Sequence, residues 1–213
     1  MHCRPISVSD LGHAVPLGIA IALALVLSQP LVRAGNSPVT IGGPFALTAP
    51  DGTMVSEQTY RGKWLLVYFG YTSCPNTCPT ALLEISGALK RLGPDADKLQ
   101  PLFITVDPRR DTPAVMGNYT QSFDPRIIGL TGTPQQVAAV AQEYGVYYVT
   151  HKSGPDGEND IIDHSTYLYL MDPDGKFVRG LDADTPDDRI AEVVRDAMVR
   201  AREDTSRQGR PTQ

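Results

Sequence analysis

The chain has 213 residues, of which 41% are hydrophobic and 20% are charged, and its formal net charge is −5. This length and balance fit one globular domain with a sizeable core, together with terminal segments. The acidic balance argues against a nucleic-acid-binding protein, which needs clustered lysine and arginine, so no nucleic acid is expected among the partners.

The N-terminal segment, residues 1–34, predicts export of the rest of the chain. Residues 11–32 contain no Asp, Glu, Lys or Arg, and Arg4 precedes them, which keeps the amino terminus in the cytoplasm. Two interpretations remain open: an uncleaved anchor, since about 20 apolar residues span a bilayer, or a signal peptide cleaved after Val32-Arg33-Ala34. We expect a single anchor in the cell inner membrane with the domain in the periplasm. Cleavage would instead release the domain into the periplasm.

The remaining sequence predicts alternating strands and helices. Apolar runs indicate strands, and apolar residues at helical spacing, bounded by threonine-proline or glycine signals, indicate helices. In chain order the predicted elements are a hairpin at 44–55, a buried strand Trp64–Phe69, a helix closed by Gly93-Pro94, a buried strand Leu102–Val106, a short helix opening at Thr112-Pro113, a strand Ile127–Leu130, a helix opening at Thr133-Pro134, β-rich runs Val146–Val149 and Ser165–Leu170, a strand Lys176–Leu181 and a last helix around Ile190–Met198.

This order predicts an α/β fold: a central mixed sheet flanked by helices, with an extra N-terminal hairpin. The domain is expected at residues 35–202, and the polar residues 203–213 are expected to form a disordered tail. A cysteine pair directly after the first buried strand, opening the first long helix, predicts a thioredoxin-like arrangement.

Cys74 and Cys78 are the two cysteines downstream of the N-terminal segment, since Cys3 precedes its apolar run. The helix must begin near the pair, because Pro79 is tolerated only in a first turn. Both sulfurs therefore lie at a helix N-terminus, where the thiolate is favoured. Three residues separate the cysteines, one more than in thioredoxin-type motifs. The extra residue leaves room for a metal ion without forbidding a disulfide, so both remain open.

His164 is the candidate third ligand. It stands at the start of the predicted strand 165–170, which we expect to lie beside the strand leading to Cys74. A strand-end histidine is by itself more often a hydrogen-bonded side chain than a ligand. However, the other histidines lie in the N-terminal segment or, as His151, are expected to be solvated. His164 is therefore the histidine that is placed to reach the cysteines.

The segment before this strand also favours a ligand. Thioredoxin-like enzymes place a cis-proline there, whereas no proline occurs between Pro155 and Pro173 and a histidine stands in that neighbourhood. Two thiolates and one imidazole select a soft or borderline metal, and copper fits best, because Cu(I) accepts three soft ligands and Cu(II) tolerates an imidazole. Zinc would require a fourth ligand, and calcium and magnesium prefer oxygen. One copper ion per chain is expected.

The sequence resembles the Sco/SenC family, copper proteins needed to assemble cytochrome c oxidase, over roughly residues 40–200. The order and spacing of several short motifs carry the resemblance: Gly43-Pro44-Phe45, Val67-Tyr68-Phe69-Gly70, Cys74-Pro75, Cys78-Pro79, Val106-Asp107-Pro108, Arg110-Asp111-Thr112-Pro113, Leu130-Thr131-Gly132-Thr133, Asp163-His164-Ser165 and Asp172-Pro173-Asp174-Gly175.

The resemblance implies a thioredoxin-like domain on a single membrane anchor, with copper bound by Cys74, Cys78 and His164. It implies a copper chaperone rather than an enzyme, delivering copper to the binuclear copper centre of cytochrome c oxidase subunit two. Other periplasmic copper chaperones and thioredoxin-like reductants are further expected partners. Asp107 corresponds to the family's acidic residue near the site, where it would orient a ligand or tune the charge. Asn76 departs from the acidic residue of many members.

The alternative is a thiol-disulfide reductase or peroxiredoxin-like enzyme that uses Cys74 and Cys78 on the cysteines of that partner. A purely structural disulfide is a poor explanation, because a bridge across so short a loop gives limited chain-entropy stabilisation. Asp163-His164-Ser165 does not predict a hydrolase triad, since neighbours on a strand point to opposite faces.

Overall fold

Two runs of buried apolar residues, Trp64–Gly70 and Leu99–Thr105, form the centre of the fold. A computed structural model describes residues 40–154, 156–157 and 159–208. Its strands are β1 (Ala46–Thr48), β2 (Met54–Ser56), β3 (Trp64–Gly70), β4 (Leu99–Thr105), β5 (Ile128–Leu130), β6 (Tyr148–His151), β7 (Ile161–His164), β8 (Tyr167–Met171) and β9 (Phe177–Asp182), and its helices are α1 (Thr77–Leu92), α2 (Pro113–Gln121), α3 (Pro134–Glu143) and α4 (Asp187–Gln208).

The central sheet has the strand order β5-β4-β3-β8-β9. β3 runs parallel to β4, and β4 runs parallel to β5, whereas β8 is antiparallel to β3 and β9 is antiparallel to β8. The predicted N-terminal hairpin is formed by β1 and β2. The predicted class, a central mixed sheet flanked by helices in a thioredoxin-like arrangement, is confirmed.

The sheet is covered on both faces, which explains why β3 is apolar without alternation. Leu66 and Tyr68 belong to a core cluster with residues of α1 and α4. Leu65, Val67 and Phe69 point to the other side, into a cluster with residues of α3 and the β1–β2 hairpin. All seven residues of β3 are buried, so the strand that leads to the cysteines is held from both sides.

The threonine-proline pairs begin helices as predicted. The Thr112 side chain accepts a hydrogen bond from the Val115 amide at the start of α2. Thr133 and Gln136 form a reciprocal capping box at the start of α3. Each cap satisfies backbone amides that a first helical turn leaves without an intrahelical partner.

The predicted position of His164 in the sheet is wrong in one respect. β8 lies beside β3 as expected, but His164 is not part of that strand. His164 ends β7, which pairs with β6 in a separate two-stranded ribbon. Tyr148 of β6 lies directly opposite His164 in this ribbon, and the central sheet, β5-β4-β3-β8-β9, does not include β7.

The C-terminal helix is longer than expected. α4 continues through Gln208, so residues 203–208 are helical rather than the beginning of a disordered tail. Two exposed ion pairs lie directly before this segment: Arg200 is 3.9 Å from Asp196 one turn earlier, and Arg202 is 3.7 Å from Asp95. Residues 209–213 lie outside the described part of the chain.

Among the described residues, none of the helices combines the length and the apolar character that a membrane span requires. The predicted anchor or signal segment, residues 1–34, lies outside the described residues.

Candidate metal centre

The cysteine loop begins where β3 ends and finishes in the first turn of α1. Cys74 lies in the loop, and Cys78 is the second residue of the helix, directly before Pro79. The helix therefore starts where the proline requires it to, as predicted. Cys78 is fully buried, whereas Cys74 is partly exposed. The two sulfurs therefore differ in their access to solvent, even though the cysteines lie close together in the sequence.

The β6–β7 ribbon brings His164 to the cysteines. The Nε2 atom of His164 lies 3.7 Å from the Cys78 sulfur. Its Nδ1 atom lies 2.9 Å from the backbone carbonyl oxygen of Ser165. Because a carbonyl oxygen can only accept, this hydrogen bond requires the proton of the neutral ring to be on Nδ1. That tautomer leaves the Nε2 lone pair free to bind a metal.

Cys74, Cys78 and His164 form a group that could hold a metal ion. Their ligand atoms all lie within 4.8 Å of one another. Both cysteines carry free thiols. The donor set of two sulfurs and one imidazole nitrogen is the set that favours copper over hard cations. The structure thus brings the three predicted ligand residues into one site.

The pKa values of the two thiols are shifted in opposite directions. Hydrogen bonding from the Cys78 thiol lowers the pKa of the Cys74 thiol well below its ordinary range, although partial burial opposes this shift. The same hydrogen bond, together with burial, raises the pKa of the Cys78 thiol. In the reduced, metal-free protein these pKa shifts favour the thiolate at the accessible sulfur and the protonated form at the buried one.

We expect Cys74 to be alkylated by iodoacetamide at least about tenfold faster than Cys78 in the folded, reduced protein. Because the pKa of Cys74 is lowered, its thiolate persists as the pH falls below the ordinary thiol range, so its rate should change little between pH 8 and pH 6. An ordinary thiol would slow by about tenfold per pH unit there. Peptide-resolved mass spectrometry measures both rates, and the urea-unfolded protein is the control. Equal labelling of the two cysteines in the folded protein would contradict the assignment.

Tyr68 and Tyr71 form part of the wall of this site. The Tyr68 hydroxyl lies 3.7 Å from the Cys78 sulfur. The Tyr71 ring meets the His164 ring edge to face, with centroids 5.9 Å apart, and its hydroxyl accepts a hydrogen bond of 3.3 Å from the Ile162 amide. The contact of Tyr68 with a sulfur joins residues ten positions apart, and the sequence analysis did not predict it.

Asp107 lies behind this wall rather than within the ligand group. Its carboxylate is buried and accepts a hydrogen bond from Arg110. The Arg110 guanidinium lies 5.8 Å from the centre of the Tyr71 ring and donates a 2.9 Å hydrogen bond to the carbonyl oxygen of Asp160, the residue directly before β7. Asp107 therefore connects to His164 through Arg110 and Tyr71. The role of Arg110 was not foreseen, although its motif was noted.

Asp111 ties the cysteine loop to the central sheet. Its buried carboxylate accepts hydrogen bonds from the Thr72 amide at 3.1 Å, the Thr72 hydroxyl at 2.5 Å and the Thr105 hydroxyl at 2.6 Å. Burial raises the pKa of Asp111, while these hydrogen bonds oppose the increase. Thr72 stands two residues before Cys74, so this contact restrains the loop that carries the accessible sulfur.

His151 and Asp163 interact with each other on the exposed side of the ribbon. The Nε2 atom of His151 lies 2.9 Å from an Asp163 carboxylate oxygen, and both side chains are more than half exposed. His164 contacts the backbone of Ser165 instead of Asp163. The described contacts thus contain no Asp-His-Ser triad at these positions, as the alternation of side chains along a strand predicts.

Comparison with known proteins places this geometry in context. The family model described as SCO1/SenC matches residues 33–199. The solved structure of Bradyrhizobium japonicum ScoI with copper bound is 44% identical, with a TM-score of 0.68, and the match covers 73% of this chain and 98% of that one. The structure of yeast Sco1 with copper bound is 41% identical, with a TM-score of 0.66, covering 73% of this chain and 89% of that one.

Curated relatives include SCO1 homolog 1, a mitochondrial protein of Arabidopsis thaliana, which is 38% identical over 160 residues, 73% of this chain. The chain spans about half the length of the first mitochondrial relatives that it matches: 47% of this Arabidopsis protein and 54% of the SCO2 protein of Saccharomyces cerevisiae.

Proposed function

Because this chain belongs to the SCO1/SenC family, we propose that it is a copper chaperone. It binds one copper ion through Cys74, Cys78 and His164 and delivers it to the binuclear copper centre of cytochrome c oxidase subunit two. Two related proteins of more than 40% identity are described with copper bound, and the role of the family in oxidase assembly supports the choice of partner.

The observation that carries the proposal is the convergence of two sulfurs and one imidazole nitrogen within 4.8 Å. Cys74 and Cys78 come from one loop and the helix turn that follows it, whereas His164 comes from a separate ribbon 86 residues after Cys78. A tautomer of His164 that donates from Nδ1 leaves Nε2 available, and the lowered pKa of Cys74 favours its thiolate before any metal arrives. Three soft-to-borderline donors fit Cu(I), which accepts three-coordinate sites.

The unequal access to the two sulfurs suits the transfer of a metal. Cys78 is buried in the core cluster that β3 shares with α1 and α4, whereas Cys74 is partly exposed, so an incoming sulfur or imidazole of a partner can approach copper on the side of Cys74. Exchange of one ligand at a time keeps copper coordinated throughout, which avoids release of a free ion. On this proposal Cys78 is the last protein ligand to leave.

Asp107 acts on the site through Arg110 in this proposal. Its buried carboxylate holds the guanidinium against the Tyr71 ring and the Asp160 carbonyl. These contacts fix the wall behind His164 and the start of its strand, so they limit the positions that the imidazole can take. Residues that orient metal ligands in this way typically change metal affinity by about 10- to 100-fold when they are replaced.

The setting proposed for this chemistry is the periplasmic face of the cell inner membrane. The N-terminal segment would anchor the domain there, or release it into the periplasm if the segment is cleaved. Other periplasmic copper chaperones would supply the copper, and thioredoxin-like reductants would keep the two cysteines reduced. An oxidising compartment makes such a reductant necessary.

A thiol-disulfide reductase is the second candidate function, and the pair of thiols supports it. A partly exposed cysteine of lowered pKa beside a buried, protonated one is an arrangement that also serves disulfide exchange. In that case Cys74 would attack a disulfide of the partner, and Cys78 would resolve the mixed disulfide. His164 distinguishes the two functions, because exchange does not require a third ligand.

Titration of the reduced protein with Cu(I) in competition with a chelator tests the proposal. We expect one tight site per chain and a loss of about a hundredfold or more in affinity for His164→Ala, since one of three ligands is removed from a site worth on the order of 10 kcal/mol. His151→Ala, a histidine exposed on the same ribbon, is the matched control. A His164→Ala variant with wild-type copper affinity would favour the reductase instead.

A further inference from the structure

We propose that the Tyr68 hydroxyl sets the redox balance of this site by donating a hydrogen bond to the Cys78 sulfur. The bond favours the reduced forms: two thiols over the Cys74–Cys78 disulfide, and Cu(I) over Cu(II). The statement about copper rests on the proposed function, whereas the statement about the thiols does not.

The geometry of the contact is that of a hydrogen bond to sulfur. The Tyr68 hydroxyl oxygen lies 3.7 Å from the Cys78 sulfur, and both side chains are fully buried. A buried phenol normally finds a partner for its hydroxyl. Within the described part of the chain, the Cys78 sulfur is the partner recorded for this one.

The Tyr68 ring is held in the orientation that makes the contact. It stacks against Phe103 with centroids 5.8 Å apart and meets His164 edge to face at 6.3 Å. Its backbone lies in β3, the central strand of the sheet, opposite Leu168 of β8 and Phe103 of β4. The hydroxyl is therefore held beside the Cys78 sulfur before any metal or partner binds.

The direction of donation follows from the two groups that make the contact. A phenol has one O–H to donate, and the Cys78 sulfur has lone pairs that can accept it. The surroundings exclude water, which strengthens a hydrogen bond electrostatically and leaves the sulfur without a solvent donor in its place.

Such a donor stabilises the reduced cysteine pair. A thiol or thiolate sulfur carries more negative charge than a disulfide sulfur and accepts a hydrogen bond more strongly. The relevant exchange is balanced with glutathione: the protein disulfide and two glutathione thiols give two protein thiols and one glutathione disulfide. One S–S bond breaks in the protein and one forms between the glutathiones. Tyr68 shifts this equilibrium toward the protein thiols.

The same bond acts on a copper-bound thiolate. Donation from Tyr68 withdraws charge from the Cys78 sulfur and makes it a weaker electron donor to the metal. Hydrogen bonding around a ligating sulfur is one of the factors that tune copper redox potentials. Cu(II) depends more on strong donation than Cu(I) does, so the hydroxyl favours Cu(I) in this site.

Tyr68→Phe tests the proposal, because it removes the hydroxyl and retains the ring. We expect the equilibrium with glutathione to move toward the protein disulfide by about three- to tenfold. We expect the ratio of Cu(I) to Cu(II) affinity to fall by about tenfold, which corresponds to about 59 mV for one electron. The sulfur-to-Cu(II) charge-transfer band should move to lower energy. A merely structural effect on folding would not change the glutathione equilibrium, the ratio of copper affinities and the band energy together in the expected way.

Tyr169→Phe is the matched control, since Tyr169 is a buried tyrosine of the neighbouring strand β8 that belongs to the core cluster on the other face of the sheet. A Tyr68→Phe protein whose glutathione equilibrium matches that of Tyr169→Phe overturns the proposal. If no variant binds copper, the proposed function fails, and the glutathione equilibrium alone still decides the role of Tyr68. A shift in that equilibrium without a shift in the copper affinities overturns the statement about copper.

Discussion

Replacing Cys78 by serine is expected to weaken copper binding by at least about a thousandfold, the largest effect of any single substitution that we anticipate. Serine keeps nearly the same volume, but its hydroxyl retains its proton at neutral pH and is a hard donor that Cu(I) does not favour. The position is fully buried, so neither water nor another side chain can replace the missing sulfur. Competition titration with a Cu(I) chelator measures the loss.

Thr77→Ala is the control for this substitution, because Thr77 is the exposed neighbour of Cys78 in the same first turn of α1. It should bind copper as the wild type does. The oxidised wild-type protein gives a second comparison: a Cys74–Cys78 disulfide offers no thiolate and should also fail to bind. Retention of tight binding by Cys78→Ser would show that the buried sulfur is not a ligand.

Gly70→Ala is expected to destabilise the fold and to displace a copper ligand at the same time. A Cβ atom at position 70 would stand 2.7 Å from the Cys78 sulfur and 2.7 Å from Cε2 of Phe103, closer than side-chain atoms pack. Overpacking of a core typically costs about 1–3 kcal/mol of stability. The Cys78 sulfur is one of the atoms that must move, and it is a proposed copper ligand. Copper affinity should therefore fall by about tenfold or more.

Urea denaturation and copper titration of Gly70→Ala measure the two effects separately. Gly180→Ala is the control, since Gly180 also lies within a strand, β9, but an added Cβ there would meet its nearest neighbour at an ordinary 3.9 Å. It should change stability by no more than about 0.5 kcal/mol. If Gly70→Ala retains both the stability and the affinity of the wild type, the close approach of β3 to the sulfur has no energetic consequence.

Local patterns were sufficient to predict most of the fold. The apolar run of β3, the threonine-proline pairs that begin α2 and α3, and the start of α1 near Pro79 depend on residues close together in the sequence. Burial on both faces, hydrogen-bonded caps and the geometry of proline act within a few residues. The pairing partner of β7 could not be predicted in this way. Local sequence does not decide whether a four-residue strand pairs with the central sheet or with β6.

The sequence by itself determined the chemical nature of the candidate site: two cysteines at a helix start and a histidine before a late strand, a set of donors that selects a soft metal. Only the tertiary structure decided which sulfur is buried, how His164 reaches it from a separate ribbon, that Tyr68 contacts the buried sulfur, and that Arg110 and Asp111 hold the neighbouring wall and loop. Cys78 and His164 are 86 residues apart in the chain. Contacts over such separations are set by the packing of whole elements against the sheet, which no local pattern of residues specifies.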